Sequence, residues 1–318
     1  HCTFCANTKF IDNHSDYTQV RHPSPSYLVD EIQQALDVHP YISSVIIQDD
    51  SLMALHPDTL RALGEEWKER LDIPFTVMGV IPNYVTEEKI EIMLDAGMNR
   101  LRMGIQNGSK EILEFYQRPA PPDKVREAAE IISRYQDYMM PPAYDIIIDN
   151  PIEEKEHVEE NINLLRDLPK PYGLNLFSLT TIPGTKLEEQ LEDRNLSVCS
   201  VRDATYSDLP PTIANCLIYL VGTIPLPDWI YQKLLSRAKP AKQEETFFPI
   251  LLIVTRLMHY LKRGLYNLRF FEFSIIGGNL GYFLWKIGIL KPARDQLTPD
   301  FDLDEPDTKE TVKPADIQ

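Results

Sequence analysis

Between residues 24 and about 190, short apolar runs alternate with longer stretches in which apolar residues recur every three or four positions. The runs 43–48, 75–80, 100–104, 144–148 and 174–179 are dominated by Val, Ile, Leu, Phe and Met with little polar alternation, so they read as strands buried on both faces. The stretches between them predict helices over 58–70, 86–95, 109–116, 123–135, 153–167 and 186–192. Ser24-Pro25 supplies an N-cap and a first-turn proline to a further helix running towards Leu36. Strand and helix in turn, joined by short loops, call for an α/β fold on a parallel sheet, doubly wound or closed into a barrel.

The pattern changes after about Asn195. Prolines cluster, and 247–266 and 270–290 form two apolar segments interrupted by Arg, Lys and His. They are expected to be accessory helices that bury their own apolar stripes on the barrel; membrane-surface or partner docking is the reading not favoured. The stretch 273–285 is shorter than the roughly 18 uncharged apolar residues that a bilayer span needs. From Ala293 onwards Asp, Glu, Pro and Thr prevail, and a disordered tail is expected. The chain therefore divides into a core over 1–194, an accessory helical region over 195–292 and an acidic tail over 293–318.

Composition narrows the chemistry. The 318 residues carry a formal charge of −16, which disfavours a duplex-binding surface. Trp67, Trp229 and Trp285 are too scattered to stack single-stranded bases. Four cysteines, Cys2, Cys5, Cys199 and Cys216, are too few and too uneven for a secreted disulfide scaffold, so a reducing cytoplasm fits better. The chain opens on His1-Cys2-Thr3-Phe4-Cys5 without an initiator Met or a leader, and is expected to be a piece of a longer protein.

Cys2 and Cys5 form a C-x-x-C pair. Alone, that spacing also suits a zinc half-site or a thioredoxin-like redox pair, but Cys199 and Cys216 stand sixteen residues apart and offer no second half-site. Four apolar runs end in polar turns: Asp49-Asp50, Gln106-Asn107-Gly108-Ser109, Asp149-Asn150-Pro151, and Thr180-Thr181 followed by Pro183-Gly184-Thr185. In a parallel-strand barrel the chemistry sits at those carboxyl ends.

Cys2-Thr3-Phe4-Cys5 resembles the last two cysteines of the C-x-x-x-C-x-x-C motif of radical S-adenosylmethionine (radical SAM) enzymes. Val45-Ile46-Ile47-Gln48-Asp49-Asp50 is similar to the second-strand motif of the subgroup often fused to a cobalamin-binding domain. The blocks Asp95 to Arg100, Gly104 to Ser109 and Tyr116-Gln117-Arg118 resemble the fourth-strand region, and Ile182-Pro183-Gly184-Thr185 the turn after the sixth strand. The resemblance runs to about Leu191 and implies a (β/α)6 TIM-type barrel seen only in part, its first strand and first cysteine lying upstream of His1. It departs from the family at 148–154, where many relatives carry Gly-Leu-Pro-Gly-Glu-Thr.

The resemblance further implies that Cys2 and Cys5 ligate a [4Fe–4S] cluster, that Phe4 packs beside it, and that Asp50, Gln106, Ser109 and Arg118 touch S-adenosylmethionine. Three thiolates leave one iron open for that cofactor. An electron then cleaves the sulfonium to give a 5′-deoxyadenosyl radical that abstracts hydrogen from a small-molecule substrate. Cobalamin in an upstream domain and an electron donor such as ferredoxin or flavodoxin are implied with it; no substrate and no catalytic side chain is assigned.

Other readings stay open at this point. Asp49 and Asp50 face opposite sides of a strand, which disfavours a paired-carboxylate glycosidase unless a second acid lies elsewhere. Gly104, Gln106 and Gly108 lack the dinucleotide-binding spacing. Ser109 also suits a helix cap and Arg118 a helix dipole partner. His157 and His259 read as surface or packing residues, and Cys199 and Cys216 as small buried hydrophobes. The rival functions are a cofactor-free barrel lyase or hydrolase using Asp49, Asp50 and Asp149, and a non-catalytic module docking through 247–290.

Overall fold

Each predicted apolar run except one forms a strand close to its expected bounds. The computed structural model describes residues 2–14, 16, 22–42, 44–49, 52–202, 208–244, 246–270, 283–284 and 286–288. The strands are β1 (Val45–Ile47), β2 (Phe75–Val80), β3 (Met98–Gln106), β4 (Ala143–Ile148) and β5 (Gly173–Ser178). All pair in parallel in the order β1-β2-β3-β4-β5, an open curved segment of α/β barrel. The exception is β1, only three residues long where six were expected. Asp50, the predicted tail 293–318, and all but a few residues of the predicted segment 270–290 lie outside the described residues.

The helices of the core are α1 (Ala6–Asn13), α2 (Pro25–Val38), α3 (Pro57–Arg70), α4 (Glu87–Asp95), α5 (Lys110–Phe115), α6 (Pro122–Ser133), α7 (Lys155–Asp167) and α8 (Lys186–Glu192). Ser24 Oγ accepts from the Tyr27 amide, so the predicted cap of α2 forms. A second group follows, with α9 (Ile213–Thr223), α10 (Asp228–Leu235) and α11 (Pro249–Arg269). α9 is buried almost all round, which explains why it writes no amphipathic stripe into the sequence.

Strands buried on both faces were expected, and only one face meets that description. Leu101, Met103 and Ile105 of β3, with Tyr144, Ile146 and Ile148 of β4, pack under the helices in a core that continues to Leu217, Ile218 and Val221 of α9. The opposite, concave face carries Arg100, Arg102, Asp145 and Asn175, all half-buried. Arg102 Nε donates to both Asp145 oxygens at 2.6 and 2.7 Å, and Asn175 Nδ2 donates to Asp145 Oδ1 at 2.9 Å. This face borders the cavity rather than the apolar core, with Arg263 of α11 reaching Asn175 Oδ1 at 3.5 Å, so alternate residues are polar and the apolar runs hide a two-sided sheet.

A second correction concerns α11. It was expected to bury its own apolar stripe, yet only Leu252, Thr255 and His259 turn inward as buried residues, while Ile250, Ile253, Leu257, Leu261, Leu265 and Leu268 are exposed.

Candidate functional site

The cysteine loop is tied to the carboxyl end of the sheet by backbone contacts. Thr3 N donates to Tyr116 O at 2.9 Å, behind α5, and Leu187 N donates to Thr3 O at 3.0 Å, at the start of α8. Thr8 Oγ1 closes the loop on Cys2 O at 2.9 Å. Cys2 and Cys5 are both free thiols, half-buried on this one turn. Phe4 between them meets Tyr116 edge-on, with ring centroids 5.3 Å apart, and joins a small apolar cluster with Ile112, Leu179 and Leu187.

Arg118 reaches the same loop because the end of α5 turns it back. Gln117 adopts a left-handed conformation with φ +51°, and Arg118 N closes on Leu113 O at 2.8 Å, a left-handed helix stop. The guanidinium then spans from Gly104 O, 2.7 Å from Nη2, to Cys2 Sγ, 3.8 Å from Nη1. Its Nε is buried without a partner. The dipole-partner reading of Arg118 thus gives way to one in which it faces the cysteine.

Gln106 ends β3 at φ +74° and Asp149 follows β4 at φ +62°, two non-glycine residues held left-handed at adjacent strand ends. Such strain persists where surroundings over-determine it, commonly at ligand sites. Ser109 precedes α5, but its side chain caps nothing: Oγ is buried and unpartnered, while Asn107 Oδ1 accepts from the Ser109 amide at 2.8 Å. Asp49 is exposed after β1. The structure therefore gathers Cys2, Phe4, Cys5, Gln106, Ser109 and Arg118 at the carboxyl ends of β3 to β5.

Sequence reasoning marked the Asp149-Asn150-Pro151 turn but not Glu153 or the buried polar pairs that the two form beneath this site. Asn107 Nδ2 donates to Glu153 Oε1 at 2.8 Å, and Asn150 Nδ2 to Tyr116 Oη at 3.0 Å. Burial pushes the Glu153 carboxyl up to about 8 and that of Asp149 up to about 6. Asp149 Oδ2 has no partner. Beside it opens a cavity of about 600 Å³, bounded by Phe4 and Gln106 on one side, Asp145 and Asn175 on its floor, and Tyr219 and Arg256 on the other side.

A family model described as the radical SAM superfamily matches residues 1–165, just over half of the chain. The chain belongs to the radical SAM superfamily. Membership in this enzyme superfamily implies a [4Fe–4S] cluster and S-adenosylmethionine. The residues present fit in part: two free, half-buried thiols beside an arginine with an unpartnered nitrogen suit a cluster and an anionic cofactor end, and they supply two of the three thiolates. Among the described residues no group of three or more His, Cys, Asp or Glu side chains converges to hold a metal ion.

Anaerobilin synthase of Escherichia coli O157:H7 is 25% identical to this radical SAM chain over 209 residues, 63% of the chain and 45% of that protein. The chain thus spans less than half the length of this curated relative. Among solved structures, coproporphyrinogen III oxidase (HemN) from Escherichia coli superposes with a TM-score of 0.40 at 17% identity, over 56% of this chain and 41% of that one. The methyltransferase TsrM from Kitasatospora setae, solved with cobalamin and a [4Fe–4S] cluster, gives 0.48 at 16% identity, over 61% and 37%. Likeness at this level carries no inference about ligands.

Cys216 is buried in α9, with its thiol pushed up to about 11 by that burial, whereas Cys199 is half-exposed, contrary to the expectation for it. His259 is buried in packing and His157 sits in the capping box of α7. Among the described residues no helix is long and apolar enough to cross a membrane.

Proposed function

We propose that residues 1–194 form a radical SAM core in which Cys2 and Cys5 ligate the cluster and Gln106, Ser109 and Arg118 hold S-adenosylmethionine, with Phe4 packing beside them. The observation that carries this is the Arg118 guanidinium stretched between Gly104 O and Cys2 Sγ with its Nε left buried and unpartnered. An arginine so placed offers a fork to the carboxylate of a cofactor seated over the cysteine loop. Ser109 Oγ, buried and also unpartnered, is assigned to a ribose hydroxyl of the cofactor. Phe4 and Tyr116 exclude water from one flank. The cluster, when bound, supplies the electron for reductive cleavage of the sulfonium.

The adjoining cavity is the place for a small-molecule substrate, with Asp145 held by Arg102 and Asn175 at its floor. The likeness of the stretch from Val45 to Asp50 to the cobalamin-fused subgroup supports methyl transfer to an unactivated carbon, or an oxidative or ring-forming step, as the reaction class, and membership in the superfamily supports an electron donor such as ferredoxin or flavodoxin as partner. Asp50 keeps its proposed cofactor contact on that likeness alone. Residues 195–292 serve as the accessory region.

The test is anaerobic reconstitution followed by calorimetric titration with S-adenosylmethionine. Arg118→Ala and Gln106→Ala are each expected to weaken binding about tenfold or more, since removing a charge-assisted or polar contact costs about 1.5–3 kcal/mol. Iron and sulfide content stays at the wild-type level, because neither residue ligates iron. Unchanged titrations in both variants overturn the assignment, and a colourless protein that takes up zinc overturns the cluster.

A further inference from the structure

The exposed face of α11 is apolar along its whole length and carries cations at its edges. Ile250, Ile253, Leu257, Leu261, Leu265 and Leu268 are between 56% and 77% exposed. At about 100° per residue they fill one broad outward arc, opposite buried Leu252, Thr255 and His259. Within Pro249–Arg269 there are four basic residues and no Asp or Glu, in a chain whose formal charge is −16. Exposed Arg256 lies on one edge of the arc and exposed Arg269 on the other, beside Lys262, whose Nζ is held by Thr223 O at 2.6 Å.

We infer that α11 docks flat on an anionic lipid surface, its leucine arc in the acyl boundary and the exposed Arg256 and Arg269 at the headgroups. Apolar bodies with flanking cations are the pattern of helices that lie in an interface, the long basic side chains reaching up to phosphate. The arc is broader than the narrow seam by which two helices pair. Two copies facing each other through it would also bring like charges together along both edges.

The experiment is flotation of the intact protein with vesicles of phosphatidylcholine alone, or of phosphatidylcholine mixed with phosphatidylglycerol. Flotation with the anionic vesicles is expected, weaker with the neutral ones and reduced by salt. The triple variant Leu257→Ser, Leu261→Ser, Leu265→Ser loses at least tenfold in vesicle partitioning at unchanged circular dichroism. Leu261→Trp gives a readout that does not depend on the triple variant folding: its emission shifts to the blue with anionic vesicles and is quenched by brominated acyl chains. Absence of flotation and of the spectral shift overturns the inference. So does flotation that the triple variant leaves intact, or a concentration-dependent dimer, without flotation, that the triple variant dissolves; the last assigns the face to a second copy.

Discussion

Gly104 and Gly108 stand four residues apart, and a methyl group would do different things at each. At Gly104 a Cβ would come within 2.5 Å of Gln106 Nε2 and 3.1 Å of Arg118 Nη2, both ends of flexible side chains. At Gly108 it would come within 2.5 Å of Asn161 Cα and 2.9 Å of Glu160 O, which are backbone atoms of α7. Gly104→Ala is therefore expected to cost about 1 kcal/mol or less in urea unfolding while weakening S-adenosylmethionine binding, because it displaces the two side chains proposed to hold it. Gly108→Ala costs about 1–3 kcal/mol or more, since α7 itself must move and the bond from Gly108 N to Asn161 Oδ1 at 2.9 Å is strained. Undiminished cofactor affinity in Gly104→Ala would count against the roles given to Gln106 and Arg118.

At the scale of elements, α11 is tied to the sheet through the His259 imidazole, with Arg263 Nη1 reaching Asn175 Oδ1 at 3.5 Å beside it. Leu174 N, in edge strand β5, donates to His259 Nε2 at 3.0 Å, and His259 Nδ1 lies 3.1 Å from Thr223 Oγ1 at the end of α9. Accepting at Nε2 requires the neutral ring, so Nδ1 carries the proton and donates to Thr223. Burial, then the charges of Arg263 and Lys262, pulls His259 down from 6.5 to about 4. The unfolded chain takes up this proton at higher pH than the folded one, so the stability due to neutral His259 is complete above about 6.5 and is lost as pH falls from there to about 4. His259→Leu should cost about 1–3 kcal/mol, chiefly by stranding the Leu174 amide. Faster hydrogen exchange at Leu174, without faster exchange in β2 and β3, is the expected signature; equal protection in wild type and variant would show that other contacts hold α11.

For the whole molecule the opposite slope comes from the buried acids. The Glu153 carboxyl is held at about 8 rather than 4.5, mainly by burial, so the folded chain keeps a proton that the unfolded chain releases. Stability falls as pH rises through that window, by at most about 1.4 kcal/mol per pH unit. His259 opposes this below 6.5, and Asp149, held at about 6, adds to it only below that value. Of these three groups, Glu153 alone tilts the curve between about 6.5 and 8. Glu153→Gln retains an acceptor for Asn107 Nδ2 and should flatten that limb in urea midpoints measured across pH. A limb that stays as steep would place its origin elsewhere.

Much of the fold was legible along the chain because secondary structure writes itself locally. Parallel strands under helices appear as apolar runs, helices as a repeat of three to four residues, and the polar turn after each run marks the end of the sheet where loops can converge. From these alone came the α/β class, the bounds of β2 and α8 and the cap at Ser24, while the family resemblance added Cys2, Cys5, Gln106, Ser109 and Arg118 as site candidates. What remained hidden depends on pairings across long stretches of chain. Arg118 meets Cys2 across 116 positions, His259 meets Leu174 across 85 and Asn107 meets Glu153 across 46. None of these contacts alters a local period. Nor does the sequence tell which apolar face finds a partner: α9 is buried in the core, while α11 keeps all its leucines but Leu252 outside the core. Periodicity states which residues share a face, and only the packed chain decides what each face meets.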